Sequence, residues 1–199
     1  GIRFRFDFSL VGESNLSGGE GISAADFRGA MEQVDRAVET LEAKRLRGEI
    51  GFPDLPFHAT EARAIARDAK ALMKGRTHLL VLGIGGSALG TRAVYEAVGG
   101  VAAGRGLALS VADNVDPDTF FPLVAALPMK KTLVVAISKS GGTAETNAQL
   151  SIVIAALKKA VGKRWKENLV LVTDPEKGVF RRMAESEGLR SYAVPPNVG

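Results

Sequence analysis

Leu133-Val134-Val135-Ala136-Ile137 runs directly into Ser138-Lys139-Ser140-Gly141-Gly142-Thr143, and Ala144-Glu145-Thr146 then opens a long helical pattern. An apolar run, a tight polar turn and a helix start read as a strand–turn–helix unit. The turn is crowded with hydroxyls, two glycines and one lysine. Glycine lets the backbone turn sharply and approach a ligand closely. A helix N-terminus presents unpaired N–H groups and the positive end of a dipole. Together these parts describe a cradle for a phosphate group.

The same rhythm runs from residue 77 onward. Strands are expected over residues 78–82, 107–111, 132–137, 168–172 and 190–194, with helices near 87–98, 117–127, 143–161 and 176–187. Strand–helix alternation with near-continuous apolar strands argues a parallel sheet covered on both faces. The expected class is therefore α/β, a three-layer α/β/α domain over residues 77–199 with a five-stranded parallel sheet. Ligands of such sheets bind beyond the carboxyl ends of the strands, where the chain order switches direction.

Residues 1–76 read as an N-terminal strand and helical extension packed on that core. Residues 2–8 alternate as a short strand, and residues 12–21 form a glycine- and serine-rich loop. Ser23 starts a helix, with Asp26 three residues on in a capping-box-like arrangement. Phe27, Met31, Val34, Val38 and Leu41 recur at helical spacing until Gly48. Pro53 and Pro56 mark a connector. A second helix is expected from residue 59 to 74, with Gly75 as its C-cap.

Composition excludes several classes. The 199 residues are 46% hydrophobic and 24% charged, as in an ordinary globular protein. No run of about 18 apolar residues suggests a membrane span, and the first residues lack the apolar core of a signal peptide. Cysteine is absent, so disulfides and thiolate chemistry are excluded and a cytoplasmic location is expected. The net charge is +4, but basic residues alternate with acidic ones and only 6% of residues are aromatic. No nucleic-acid partner is expected, since no interleaved aromatic–basic stretch offers base stacking. An affinity for small anions fits the charge equally well.

A second turn of the same form, Leu82-Gly83-Ile84-Gly85-Gly86-Ser87-Ala88-Leu89-Gly90, follows the strand at 78–82. It also matches the GxGxxA pattern of dinucleotide-binding folds, with Asp113 after the next strand as the ribose carboxylate. Asp113 lies thirty positions after Gly83, later than the usual ~20. Nor does that template account for the hydroxyl-rich turn at 138–143. The Walker pattern GxxxxGK[ST] is absent.

The two turns in this order, with Ala112-Asp113-Asn114-Val115-Asp116-Pro117 between them, resemble the glucose-6-phosphate isomerase family. Val172-Thr173-Asp174-Pro175 and Val194-Pro195-Pro196-Asn197-Val198-Gly199 extend the resemblance over residues 77–199. The resemblance implies a sugar-isomerase (SIS) domain, one of two in the family. It implies interconversion of glucose 6-phosphate and fructose 6-phosphate through a cis-enediol, with no metal and no organic cofactor. Ser138, Lys139, Ser140 and Thr143 map onto the family's phosphate loop, and Gly86 and Ser87 onto the turn bordering the sugar. Some family members carry threonine where Ser140 stands.

The resemblance also implies residues expected beyond Gly199. In the family the arginine that stabilises the enediolate follows a Val-Gly-Gly segment, and here Val198-Gly199 closes the sequence. The proton-transferring glutamate and the histidine and lysine of ring opening lie further on. No catalytic residue is therefore expected within the chain, which reads as the first part of a longer enzyme, a homodimer when complete. The alternatives are a stand-alone SIS domain that senses a sugar phosphate, and a dinucleotide-dependent oxidoreductase.

Other conspicuous residues have plainer readings. Glu145 suits the first turn of a helix better than a phosphate neighbour. His58 and His78 are isolated and do not make a metal site. Lys139 reads either as a point charge toward phosphate or as an exposed turn lysine. Lys158, Lys159, Lys163 and Arg164 complement a helix C-terminus, and Trp165 anchors that turn. Asp116 before Pro117 is an expected N-cap.

Overall fold

The structure is a computed structural model describing residues 5, 7–16, 20–99 and 107–198. It divides into two compact units, one ending at Pro53 and the other spanning Asp54–Val198. The second unit begins before the change of rhythm at residue 77, so the helix of residues 59–72 belongs to it.

In the first unit, the strand expected over residues 2–8 falls largely outside the described residues; Asp7 there accepts the Ser9 N–H at 2.9 Å. Helix α1, Ala24–Leu46, is capped by Ser23, whose Oγ accepts the Asp26 N–H at 3.0 Å. The Ser23 hydroxyl in turn donates to the Asp26 carboxylate at 2.7 Å, closing the cap. The periodic Phe27, Met31, Val34, Val38 and Leu41 are all exposed.

The second unit contains α2 (Ala59–Leu72), β1 (His78–Leu82), α3 (Gly86–Ala97), β2 (Ala108–Ala112) and α4 (Pro117–Ala126). It continues with β3 (Thr132–Ile137), α5 (Ala144–Val161), β4 (Leu169–Thr173), α6 (Val179–Glu187) and β5 (Arg190–Ala193). The five strands pair in parallel in the order β2-β1-β3-β4-β5. The α/β expectation holds, with five strands within two residues of where periodicity placed them.

The order has one reversal. From β1 the chain moves to one side to form β2, then crosses back to form β3 on the other side. Right-handed crossovers then put α3 on one face and α4, α5 and α6 on the opposite face. Register lines up the side chains of the second face. Leu80, Val134 and Leu169 form one row, and Ala112, Leu82, Ala136 and Leu171 the next. These rows join Phe120, Val124, Leu150, Val153, Leu157 and Phe180 in one buried cluster. Each fully buried leucine there contributes about 1.5–3 kcal/mol by leaving water.

Polar residues tie the elements at the amino edge of the sheet. The buried Asn168 side chain donates to the Thr132 carbonyl at 2.7 Å, so the starts of β3 and β4 are locked together. Arg76 reaches the carbonyls of Leu72 and Glu167, joining the end of α2 to the turn before β4. Asp68 of α2 accepts from Arg190 at 3.0 Å and from the Tyr192 hydroxyl at 2.9 Å, fastening α2 to β5. Trp165 is buried under the ammonium groups of Lys158 and Lys166, 5.1 and 5.8 Å from its ring centre.

Candidate phosphate-binding site

β1 and β3 are neighbours on either side of the point where the chain order reverses. Their carboxyl ends carry the two glycine-rich turns, so segments some fifty residues apart are side by side at the crevice such sheets offer to ligands. The approach is close. A Cβ added at Gly83 would stand 3.3 Å from the Ile137 carbonyl oxygen and 3.0 Å from the Ser87 Cβ. Only glycine fits there without the neighbours giving way.

The β3–α5 turn is built by its own hydroxyls and backbone. The Ser138 N–H donates to the Val172 carbonyl at 3.0 Å, extending the β3–β4 ladder by one residue. The chain then folds back, with the Gly141 N–H donating to the Ser138 carbonyl at 3.0 Å. The hydroxyls of Ser138 and Thr143 are 2.9 Å apart and share a hydrogen bond across the loop. Ser138 is 2% exposed, Thr143 is half-buried and Ser140 is exposed. Ser140 Oγ accepts the Gly142 N–H at 3.2 Å.

Thr143 is the N-cap of α5, and its carbonyl accepts the first helical bond, from Asn147 N–H at 3.0 Å. The N–H groups of Ala144, Glu145 and Thr146 therefore lack intrahelical acceptors. The Asn147 side chain closes over this start, donating to the Thr143 carbonyl at 2.8 Å and the Gly141 carbonyl at 3.4 Å. Hydroxyl donors, free N–H groups and the positive helix end converge at one turn, which is the chemistry an anion requires.

The β1–α3 turn is more open. Gly85 adopts φ +57°, which L side chains avoid, and caps α3. Gly86 is exposed and Ser87 half-buried at the first two helical positions. Ser87 uses its N–H on the Ile84 carbonyl at 3.1 Å. The expected groups Gly86, Ser87, Ser138, Lys139, Ser140 and Thr143 thus lie on two adjacent strand ends.

The other conspicuous residues resolve simply. Asp113 stands after β2, beside β1, where the dinucleotide template wants a carboxylate, and it pairs with Arg92 at 3.0 Å. Asp116 caps α4 ahead of Pro117, as expected, accepting the Asp118 N–H at 3.4 Å. Glu145 is exposed in the first turn of α5. His58 lies 3.5 Å from Glu61, and a His78 ring nitrogen shares a hydrogen bond with the Thr77 hydroxyl at 2.9 Å. Among the described residues no group of three or more histidine, aspartate or glutamate side chains gathers as a metal site.

Periodicity missed three residues around the site. Gln149 passes for a polar helix-face residue, yet it is buried and donates to the Asn114 carbonyl at 2.8 Å, tying α5 to the β2–α4 loop. Asp174 and Gly178 shape the β4–α6 loop behind the phosphate turn. The helix expected from residue 176 begins instead at Val179. The Asp174 carboxylate accepts the N–H groups of Glu176 and Lys177 at 2.8 and 3.0 Å, and Gly178 adopts φ +98°. Both features hold the chain out of the helix for three residues. An Asp-Pro pair is a turn signal that argued for this later start.

Comparisons with known proteins bear on the whole arrangement. A model of the phosphoglucose isomerase family matches residues 65–179, more than half of the chain. The chain is 40% identical to a glucose-6-phosphate isomerase of Carboxydothermus hydrogenoformans over all of its own length and 44% of that protein. It is 39% identical to one from Thermus thermophilus over 83% of the chain and 39% of the relative. Among solved structures, a hypothetical protein from Thermus thermophilus superposes on 86% of the chain and 42% of its own, with TM-score 0.72 and 36% identity. A glucose-6-phosphate isomerase from Chlamydia trachomatis does so over 71% and 26%, with TM-score 0.60 and 26% identity. The chain spans less than half the length of these relatives. With four of its five strands, both glycine-rich turns and the run from α2 to the first residue of α6 matched, this chain belongs to the phosphoglucose isomerase family.

Proposed function

We propose that this chain supplies the phosphate-binding part of a glucose-6-phosphate isomerase, as an SIS domain acting on a sugar phosphate. The observation that carries this reading is the juxtaposition of the two turns at the β1/β3 reversal, in a chain of this family. The substrate's phosphate lies at the N-terminus of α5. There Ser138, Ser140, Thr143 and the free backbone N–H groups donate to its oxygens, and Lys139 contributes positive charge. Gly86 and Ser87 border the sugar, where the lack of a side chain at Gly86 allows close approach.

The proton-transfer chemistry falls to residues outside this chain. Glucose 6-phosphate and fructose 6-phosphate interconvert when a base takes the proton from C2 and returns it to C1 through a cis-enediol. Such a base works best with a pKa near the operating pH. Asp174 does not suit that task, because the N–H bonds from Glu176 and Lys177 hold its carboxyl below the usual range. Glu145 is exposed beside the phosphate turn and belongs to the helix start. A glutamate, an arginine, a histidine and a lysine of the complete enzyme, a cytoplasmic homodimer, perform these steps without metal or organic cofactor.

Isothermal titration of the 199-residue chain with fructose 6-phosphate tests this reading. Ser138→Ala and Thr143→Ala are each expected to weaken binding by about 1–3 kcal/mol, the scale of hydrogen bonds to a charged group. Unchanged affinity in both variants refutes the phosphate role. An isomerisation assay on the same preparation is expected to show no turnover. Clean turnover would place the base within the chain.

A further inference from the structure

The phosphate turn is held from behind by a second loop. At Lys139 the backbone carbonyl accepts the Asp174 N–H at 2.9 Å. At Ser140 the carbonyl oxygen packs directly on Gly178, so a Cβ there would overlap it. At Gly141, with φ +64°, an added Cβ would stand 3.0 Å from the Phe180 nitrogen and from the Thr173 hydroxyl, and 3.2 Å from the Val179 nitrogen. Three consecutive residues of the turn thus meet the segment Thr173–Phe180.

That segment is itself braced. Asp174 is buried, and its carboxylate organises the loop through the N–H groups of Glu176 and Lys177. The Arg181 guanidinium donates to the Asp174 carbonyl at 3.1 Å and to the Ser191 hydroxyl at 3.2 Å, joining the loop to β5. A loop this heavily tied, pressed against backbone rather than side chains, sets where the peptide groups of residues 139–141 point.

We infer that the β4–α6 loop, through Gly178 and Asp174, fixes the β3–α5 turn in its phosphate-binding conformation. Both are positioning residues that act through the turn and do not touch the ligand. This rests on the phosphate reading above. Gly178 is needed because no side chain fits between the loops, and Asp174 because its carboxylate keeps the intervening residues from becoming helix.

Two measurements on the 199-residue chain test it: backbone amide NMR shifts of residues 138–143, and affinities for inorganic phosphate and fructose 6-phosphate. Gly178→Ala is expected to move those amide resonances in the free protein. It should weaken both ligands by the same factor, about 10- to 100-fold, the scale of a displacement near 1 Å. Asp174→Ala should act likewise. Asp174→Asn keeps an acceptor oxygen and should restore both readouts to within about fivefold, the factor that corresponds to one neutral hydrogen bond. That rescue separates positioning from general destabilisation, and the Asp174 pair decides the matter even where Gly178→Ala does not fold. Folded Gly178→Ala with wild-type affinity overturns this inference alone, as does equal loss in Asp174→Ala and Asp174→Asn. A wild-type chain that binds neither ligand overturns the phosphate reading and this inference with it.

Discussion

The β1–α3 and β3–α5 turns look alike as sequence: strand, glycines, hydroxyl, helix. They differ in what surrounds their glycines. Around Gly85 and Gly86 nothing lies within 4 Å of where a Cβ would be, so the helix-start half of that turn faces open space, although Gly83 before it is pressed against Ile137 and Ser87. Around Gly141 three atoms from the end of β4 and the start of α6 lie within 3.2 Å of that point. The first leaves room in front of Gly85 and Gly86, and the second is backed by structure at Gly141. The division suits the site proposed above, with room for a sugar beside Gly86 and a braced turn for its phosphate. It also shows that a glycine-rich motif has two physical uses: close approach of a ligand, and close approach of another loop.

The largest expected effect separates these uses directly. Gly141→Ala should cost about 3 kcal/mol of stability from positive-φ strain and crowding together. Gly85→Ala, strained at φ +57° but unobstructed, should cost less, about 1–2 kcal/mol from backbone strain alone. Denaturant midpoints of the two variants measure the difference, and equal losses would dissolve the contrast between the turns.

A smaller effect comes with pH. The Asp174 carboxyl is lowered first by the Glu176 N–H and then by the Lys177 N–H. A lowered folded pKa contributes stability that is full above the unfolded value of about 3.9 and is lost as pH falls through the folded value. The amide signals of residues 139–141 should therefore keep their positions at mildly acidic pH and shift only below about 3.9. The Gly85 and Gly86 signals should not follow them. A transition above that value, or one shared by both turns, would break the link between Asp174 and the phosphate turn.

The smallest effect concerns the helix start. Glu145→Gln should lower stability by about 0.3–1 kcal/mol through loss of a carboxylate at a helix N-terminus. Thermal unfolding at low salt measures it. A gain in stability would mean that Glu145 acts on something other than the α5 dipole.

Much of this molecule was readable from periodicity. The strands from His78 to Ala193 and the helices between them follow apolar runs of strand length and stripes at helical spacing. Ser23 and Asp116 announced their helices by type, since a short polar side chain before an amphipathic run has a backbone N–H to accept. The hydroxyls of Ser138, Ser140 and Thr143 suggested the proposed phosphate site for a different reason, as short donors beside a helix start. Less was visible in the β4–α6 loop. Residues 176–178 continue a helical pattern on paper, and only the Asp174 carboxylate and the backbone of Gly178 delay the helix to Val179. Gln149 shows the same limit, because a glutamine on a helix is ordinarily a surface residue.

Sequence alone determined the local chemistry: which segments are strands, which turns carry glycine and hydroxyls, and which charge they invite. That information is local because side-chain periodicity and capping act within a few residues. The order β2-β1-β3-β4-β5 was decided by tertiary structure, and with it the meeting of Gly83–Ser87 and Ser138–Thr143 at one crevice. So was the pressure of Gly178 on the Ser140 carbonyl. Strand pairing and backbone packing are contacts between distant segments, set by which faces must be buried together, and no short stretch of the chain encodes them by itself.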